Sequence, residues 1–375
     1  MKSDNTYWIT LAHLPKWGFG KINNLVIKFF HEEKISIEEF FNLQESVWSS
    51  RYELNSKDIS DLQTAKSELP ANAFLVENLL NQGYQLVPIT SPEYSKTLKQ
   101  NLKIAHSPTL LYLKGNSQII QEKSIAIVGS RAAEEKSLGF TDNIAQMASK
   151  NHKVVVSGFA KGVDKQALDS TLRFQGQSII VLPQGIATFN SGFKTYYKQI
   201  VDGNVLVLST FHPNAGWSAG LAMARNPIIY GLADEIFVAE SGDKGGTWSG
   251  VIDGLRKGRK IFVRIPEPDE KNANELLIQK GAIPVDSNGV CMEHISPFSI
   301  NEPTFSIEKI NDKIIKSFKG KPLSIKDILE KSELEWSAKK LSDHLKQMKE
   351  IQLIKNGKIN QYTLASVQYE QSTLF

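Results

Sequence analysis

The chain reads as an α/β protein, a doubly wound parallel sheet with a small helical domain before it and a winged-helix domain after it. Three observations predict this. Six short runs rich in Val and Ile lie between residues 124 and 263, separated by amphipathic stretches. That is the pattern of buried parallel strands joined by crossover helices. The first two runs end in Gly/Ser turns that open into helical stretches, and residues 304–375 give three helical stretches followed by a hairpin signal at Asn356-Gly357.

Residues 1–70 read as helices. One runs up to Leu14-Pro15, a tight GFG turn follows at Gly18 to Gly20, and a second helix starts at Lys21. Ser36 is the expected N-cap of a third, in ISIEEFFNL. A Gly-apolar-Gly turn between helices resembles the helix-hairpin-helix (SAM-like) module, whose turn amides contact DNA phosphates. Lys16 or Trp17 stands where that motif has its first glycine. A packing domain that touches no DNA fits the same residues.

The sheet domain is expected over residues 72–300, with strands at 124–128, 153–156, 178–182, 205–209, 235–239 and 260–263. The stretch 83–100 adds a small strand and helix at an edge. Residues 294–306 have no clear period and read as a linker. In the tail, helices are expected at 307–318, 324–331 and 337–350, then the hairpin IQLIKNGKINQYTL. Lys339, Lys340 and Lys346 fall on the third helix, with Lys355 and Lys358 in the wing. In a DNA-binding winged helix such positions meet the major groove and the backbone. Domains of this type also serve as protein-interaction or dimer modules.

A length of 375 residues suits two or three domains, and 41% hydrophobic with 22% charged residues is the balance of a soluble globular protein. No apolar stretch approaches a membrane span, and the N-terminus lacks the basic-then-apolar pattern of a secretory signal. The single cysteine, Cys291, excludes an internal disulfide and a cysteine-rich zinc site. A cytoplasmic protein with no membrane partner is expected. The formal net charge of +4 lies wholly in residues 303–375, the rest of the chain being neutral. Any attraction for nucleic acid must therefore be local, and a lysine-rich helix reads equally as a solvated face.

The two Gly/Ser turns place Gly129, Ser130, Ser157, Gly158 and Gly162 along the carboxyl edge of the sheet. Small residues expose backbone N–H groups there, the helix starts behind them carry partial positive charge, and Arg131 and Lys161 add full charge. This is an anion-binding edge. Nothing predicts catalysis: the seven histidines show no metal spacing, and neither HExxH nor GxSxG occurs. No catalytic residue, metal or cofactor is expected. Acids at strand ends are Asp164, expected to cap the helix at Lys165 to Ala167, together with Glu240 and Asp243. Glu240 is placed to bind ribose hydroxyls or help cleave an N-glycosidic bond. The turn Gly245-Gly246-Thr247 resembles the phosphate-gripping turn of the cytokinin-activating phosphoribohydrolases without its leading proline. It keeps open a nucleotide-binding or nucleotide-cleaving alternative, beside the plainer reading of a glycine loop that lets a helix start near the sheet.

VGSR (128–131) followed by SGFAKGVD (157–164) resembles the paired signatures of the DprA/Smf family of DNA-processing proteins, which are Rossmann-like. The resemblance continues in order through SPTLLYLKG (107–115), SIIVLPQGI (178–186), ARNPIIYGLADEIFVAES (224–241), GRKIFVRIP and NELLIQKGA, over most of residues 85–290. The chain is identified as a divergent member. Leu168 replaces the family histidine, Thr210 its carboxylate and Pro227 the second arginine of its RNR. TFNS (188–191) replaces its YP turn, and SGDKGGTWSG rewrites its SGxxxTA segment. The resemblance implies non-catalytic binding and protection of single-stranded DNA in natural transformation (competence), and delivery to the RecA recombinase by a homodimer. It implies backbone phosphates on Gly129, Ser130, Arg131, Ser157, Gly158 and Gly162, with Lys161, Lys194, Arg225 and Asn226 along the path. Phe189, Phe193 and Tyr196 are near enough in sequence to stack on bases, and equally suited to a core.

Overall fold

The computed structural model describes residues 2–292 and, within 307–364, all but 319, 320, 333, 335, 337, 347, 349, 357 and 358. The chain divides into two compact units, Met1–Ile295 and Ser296–Phe375. The expected linker at 294–306 lies outside the described residues.

Nine strands organise the first unit: β1 (Gln85–Pro88), β2 (Leu110–Lys114), β3 (Ser124–Gly129), β4 (Val154–Ser157), β5 (Ser178–Val181), β6 (Val205–Ser209), β7 (Glu235–Glu240), β8 (Ile261–Arg264) and β9 (Ile283–Val285). They form one sheet in the order β1-β2-β6-β5-β4-β3-β7-β8-β9. β3 to β9 run parallel, while β1 and β2 add an antiparallel pair beside β6. The six expected strands are all present, each within a residue of its expected bounds. Their Val and Ile side chains are buried on both faces, as helices packed on both sides of a parallel sheet require. β2 and β9 go beyond the sequence reading.

The N-terminal helices share this unit's core, where Trp8, Phe29, Phe40 and Trp48 continue into the sheet residues Leu111 and Leu206. Ser36 caps the helix Ile37–Phe41 in a reciprocal box: Glu39 N–H donates to Ser36 Oγ at 3.1 Å, and Ser36 N–H donates to Glu39 Oε2 at 2.7 Å. Beside the GFG turn, Lys21 pairs with Asp58 and lies 3.8 Å over the Trp17 ring. The buried Asn23 ties helix to sheet. Its Nδ2 donates to the carbonyls of Ile104 (2.7 Å) and Ser107 (2.8 Å), and its Oδ1 accepts from Thr109 Oγ1 at 2.8 Å.

His13 makes a second tie. Its Nε2 shares a 2.7 Å hydrogen bond with the Tyr112 hydroxyl on β2, and the His212 ring meets it edge-on at 5.2 Å. Burial, and then the neighbouring His212, push His13 down to about 3. In an unfolded chain it titrates near 6.5. Below that pH the unfolded chain therefore binds the extra proton, so stability is full above about pH 6.5 and falls towards pH 3, by at most about 1.4 kcal/mol per unit. The urea midpoint is expected to drop between pH 7 and 5, and His13→Phe to flatten that slope. An unchanged slope in the variant would assign the effect to another group.

The second unit holds the helices Ile307–Ser317, Ile325–Ser332 and Ala338–Leu345 with three strands, β10 (Leu323–Ser324), β11 (Ile351–Asn356) and β12 (Ile359–Leu364), in the order β10-β12-β11. Ile314, Phe318, Ile328, Leu341, Leu345 and Tyr362 form its core. β10 was not expected. Ser324 and Asp327 cap each other, so the helix starts at Ile325 and leaves Leu323–Ser324 extended to pair with β12. The hairpin pairs as far as Asn356 opposite Ile359; Gly357 and Lys358 lie outside the described residues. No helix among the described residues is long and apolar enough to cross a membrane.

Candidate functional site

From β3 the chain steps through β4, β5 and β6 to one side, and β7, β8 and β9 then occupy the other side of β3. The connections leaving β3 and β7 diverge, which opens a crevice at their carboxyl ends, where open α/β sheets bind ligands. A cleft of about 580 Å³ lies there, bordered by Gly129, Ser130, Arg131, Arg225, Asn226 and Gly246 among others. Two helices start on its lining, Val163–Arg173 through Asp164 and Gly246–Arg256 through Gly246 and Thr247, and Glu135–Lys150 follows the turn that carries Arg131. None is capped by the side chain of its own N-cap residue. Elsewhere Ser36, Asn55, Ser95 and Ser218 do cap their helices. First-turn N–H groups have no acceptor within their helix. Val163 N–H donates instead to the Ser130 carbonyl at 3.2 Å and Lys165 N–H to the Ala160 carbonyl at 2.9 Å, which leaves the uncapped start of Gly246–Arg256 to offer its amides to the cleft.

Of the predicted phosphate-binding residues, Gly129, Ser130, Arg131, Arg225 and Asn226 border the cleft, whereas Ser157, Gly158, Lys161, Gly162 and Lys194 do not. Arg131 is exposed, and no ion pair involving it is found among the described residues. Lys161 is exposed just before Val163–Arg173, and Lys194 is exposed on the short helix Asn190–Thr195. Ser157 turns inward, its Oγ donating to the Asp164 carbonyl at 2.9 Å. Gly158 is small because a Cβ there would sit 1.7 Å from the Arg225 guanidinium. Gly162 has φ +76°, and a Cβ would stand 2.3 Å from the Ser130 carbonyl oxygen. It lets its helix start directly against the turn that carries Arg131.

Arg225 is 3% exposed. Its Nη1 donates to the Val181 carbonyl at 2.8 Å, its Nη2 pairs with Asp164 at 3.3 Å, and its buried Nε has no partner. It lies in the cleft wall as half of a buried ion pair, where the sequence reading had it on an open path. Asp164 does not cap Lys165 to Ala167 as expected. It lies inside the helix and turns back to accept from Ala160 N–H at 3.4 Å and from Arg225. Burial pushes its carboxyl above the usual carboxylate range, against the pull of Arg225 and then of the Ala160 amide and Arg131.

Glu240 is also engaged. Its Oε2 accepts from Glu134 N–H at 3.1 Å and from Ser137 Oγ at 2.8 Å, so it caps Glu135–Lys150 from a neighbouring strand. Ser137 Oγ in turn accepts from the buried Arg264 (2.9 Å), which forms a two-pronged pair with Glu270 (2.9 Å each). Asp243 is exposed at the cleft. In the Gly245-Gly246-Thr247 turn, Thr247 Oγ1 donates to the Gly129 carbonyl at 3.2 Å and ties the two diverging loops together. Leu168 and Thr210 are buried, and Pro227 sits in the first turn of the helix Asn226–Leu232.

The three aromatic candidates form a core cluster. Phe159 meets Phe189 at 4.9 Å and Tyr196 at 5.8 Å, and Phe189 meets Phe193 at 5.3 Å, all edge-on. Phe189 and Tyr196 are each 5% exposed, so their faces are closed to a base. Trp217 and Tyr197, at 58% and 68% exposed, are open rings that sequence reasoning passed over. No group of three or more His, Cys, Asp or Glu among the described residues is arranged to hold a metal. Lys339 and Lys340 fall in the helix Ala338–Leu345, Lys346 is exposed just after it, and Lys358 is outside the described residues.

A doubly wound, mostly parallel sheet with a cleft at its switch point defines a Rossmann-like α/β protein, the class in which ligands sit at that crevice. The family described as DNA recombination-mediator protein A matches residues 85–296, and the chain belongs to it. It is 31% identical over 160 residues to the DNA processing protein DprA of Streptococcus pneumoniae, covering 43% of this chain and 56% of that one. To the protein Smf of Synechocystis it is 26% identical over 315 residues, covering 76% and 75%. The X-ray structure of the S. pneumoniae DprA shares the fold, with a TM-score of 0.56 at 24% identity over 78% of this chain and 99% of that chain.

Proposed function

We propose that this chain binds single-stranded DNA along the carboxyl edge of its sheet and protects and transfers it without catalysing a reaction. The observation that carries this is the cleft itself: the exposed Arg131, for which no ion pair is found among the described residues, borders one crevice with the uncapped glycine start of Gly246–Arg256. Family membership adds that relatives are named DNA processing proteins. Arg131 and the turn amides hold backbone phosphates, Lys161 and Lys194 extend the path, and Arg225, paired with Asp164, braces the wall beneath it. With Phe189, Phe193 and Tyr196 packed away, the backbone dominates contact, and binding is indifferent to base sequence. Delivery to the RecA recombinase, a homodimeric state, a cytoplasmic setting and duplex contacts by a winged-helix tail belong to the same proposal.

The test is fluorescence anisotropy of a labelled poly-dT strand. Arg131→Ala is expected to weaken binding by about 1–2 kcal/mol, roughly tenfold. Lys244 is exposed at the cleft as well. If Arg131, Lys161, Lys194 and Lys244 each neutralise one phosphate, the salt slope is about −2.8, or roughly a fifty-fold loss between 50 and 200 mM, and Arg131→Ala makes it shallower by about 0.7. Unchanged affinity and slope in Arg131→Ala would overturn the proposed path. A pull-down with purified RecA tests delivery.

A nucleotide-binding reading draws on one observation, the uncapped glycine start of Gly246–Arg256 at the cleft. Its cleaving form lacks a free acid at Glu240, which caps Glu135–Lys150. Thermal shift with nucleoside monophosphates, in the absence of poly-dT binding, would favour it.

A further inference from the structure

The turn that presents Arg131 is held at both ends by one residue on another strand. Glu240 ends β7, and the β3–β7 ladder slips by one residue so that Gly129 faces Glu240 where regular pairing would oppose Ala239. Such irregularities re-aim side chains beside functional sites. At one end of the turn the Glu240 carbonyl accepts from Ser130 N–H at 3.0 Å. At the other end its carboxylate accepts from Glu134 N–H at 3.1 Å. Between these points lie Arg131, Ala132 and Ala133, and within that stretch Ala132 N–H donates to Ser130 Oγ at 3.1 Å. The carboxylate is itself fixed by Ser137, which is fully buried and takes a further bond from Arg264.

We infer that Glu240 is a positioning residue: it clamps residues 130–134 in the shape that aims Arg131 into the cleft. The carboxylate acts by reach and as an acceptor, not by its charge. The consequence for DNA rests on the reading proposed above, while the clamp itself is a property of the turn.

Three variants separate these parts. Glu240→Ala removes the side-chain arm. Glu240→Asp keeps the charge but shortens the arm by one methylene. Glu240→Gln keeps a carbonyl oxygen able to accept from both Glu134 N–H and Ser137. Amide hydrogen exchange of residues 131–134 is expected to speed up about tenfold or more in the Ala and Asp variants and to stay near the parent in Gln. Poly-dT affinity should fall about tenfold in Ala and Asp and less than twofold in Gln. In an Arg131→Ala background, Glu240→Ala should add little further loss.

Unchanged exchange in the Ala and Asp variants overturns the clamp. Faster exchange with parental affinity, or full multiplication of the two losses in the double variant, overturns the positioning of Arg131. A loss in Gln equal to that in Ala overturns the acceptor role. If Arg131→Ala alone binds as tightly as the parent, the DNA reading of the cleft fails, and the exchange measurement still decides the clamp.

Discussion

Asp164→Ala is expected to unfold at lower urea, with a loss of about 3 kcal/mol. Arg225 and Asp164 are both buried, their side chains 4% and 11% exposed. Burial is the larger influence on each: it raises the carboxyl of Asp164 and lowers the guanidinium of Arg225, with their mutual attraction opposing it. Such a pair contributes little net stability, yet removing one member strands the other. The variant leaves the guanidinium with the Val181 carbonyl alone and takes the acceptor from Ala160 N–H. Asp164→Asn keeps an oxygen for that amide and should lose less. Equal midpoints for parent and Asp164→Ala would show that Arg225 finds water or another partner in the cleft, and that the wall is softer than its packing suggests.

Gly162→Ala should cost stability on the order of 3 kcal/mol and weaken poly-dT binding as well. Two effects combine. The backbone at φ +76°, ψ −130° is a region essentially reserved for glycine. The added Cβ would also meet main-chain atoms, 2.3 Å from the Ser130 oxygen and 2.8 Å from Arg131. Main chain cannot swing aside as a side-chain tip can, so relief requires the Arg131 turn and the start of Val163–Arg173 to separate. Chemical denaturation and anisotropy should therefore both respond. A stable variant with unaltered DNA binding would mean that the turn accommodates the methyl without disturbing Arg131.

The parallel strands are legible in the sequence because burial on both faces forces continuous Val and Ile, as in Val154 to Val156 and Ile125 to Val128. β9 is three residues long, too short to show a period, and β2 is a Leu-rich run that fits a buried helix as well as a strand. The small residues of the edge are legible for a related reason, since only Gly and Ser suit such turns. Two things were not legible. Arg225 reads as a surface cation, and only the fold places it beneath Gly158. Glu240 reads as a free strand-end acid, while its partners Glu134 and Ser137 lie more than a hundred residues earlier in the chain. Phe189, Phe193 and Tyr196 fit a stacking platform and a core equally well, because composition does not say which way a ring faces.

The segments that line the cleft leave β3, β4, β6 or β7, and at least two further strands lie between each of these and either margin of the sheet. Fraying begins where a strand has one neighbour, here β1 and β9, and such openings cost far less than global unfolding. The crevice thus belongs to the most persistent part of the sheet. A destabilised variant is expected to shed its margins while still holding its ligand, and to lose site and fold together.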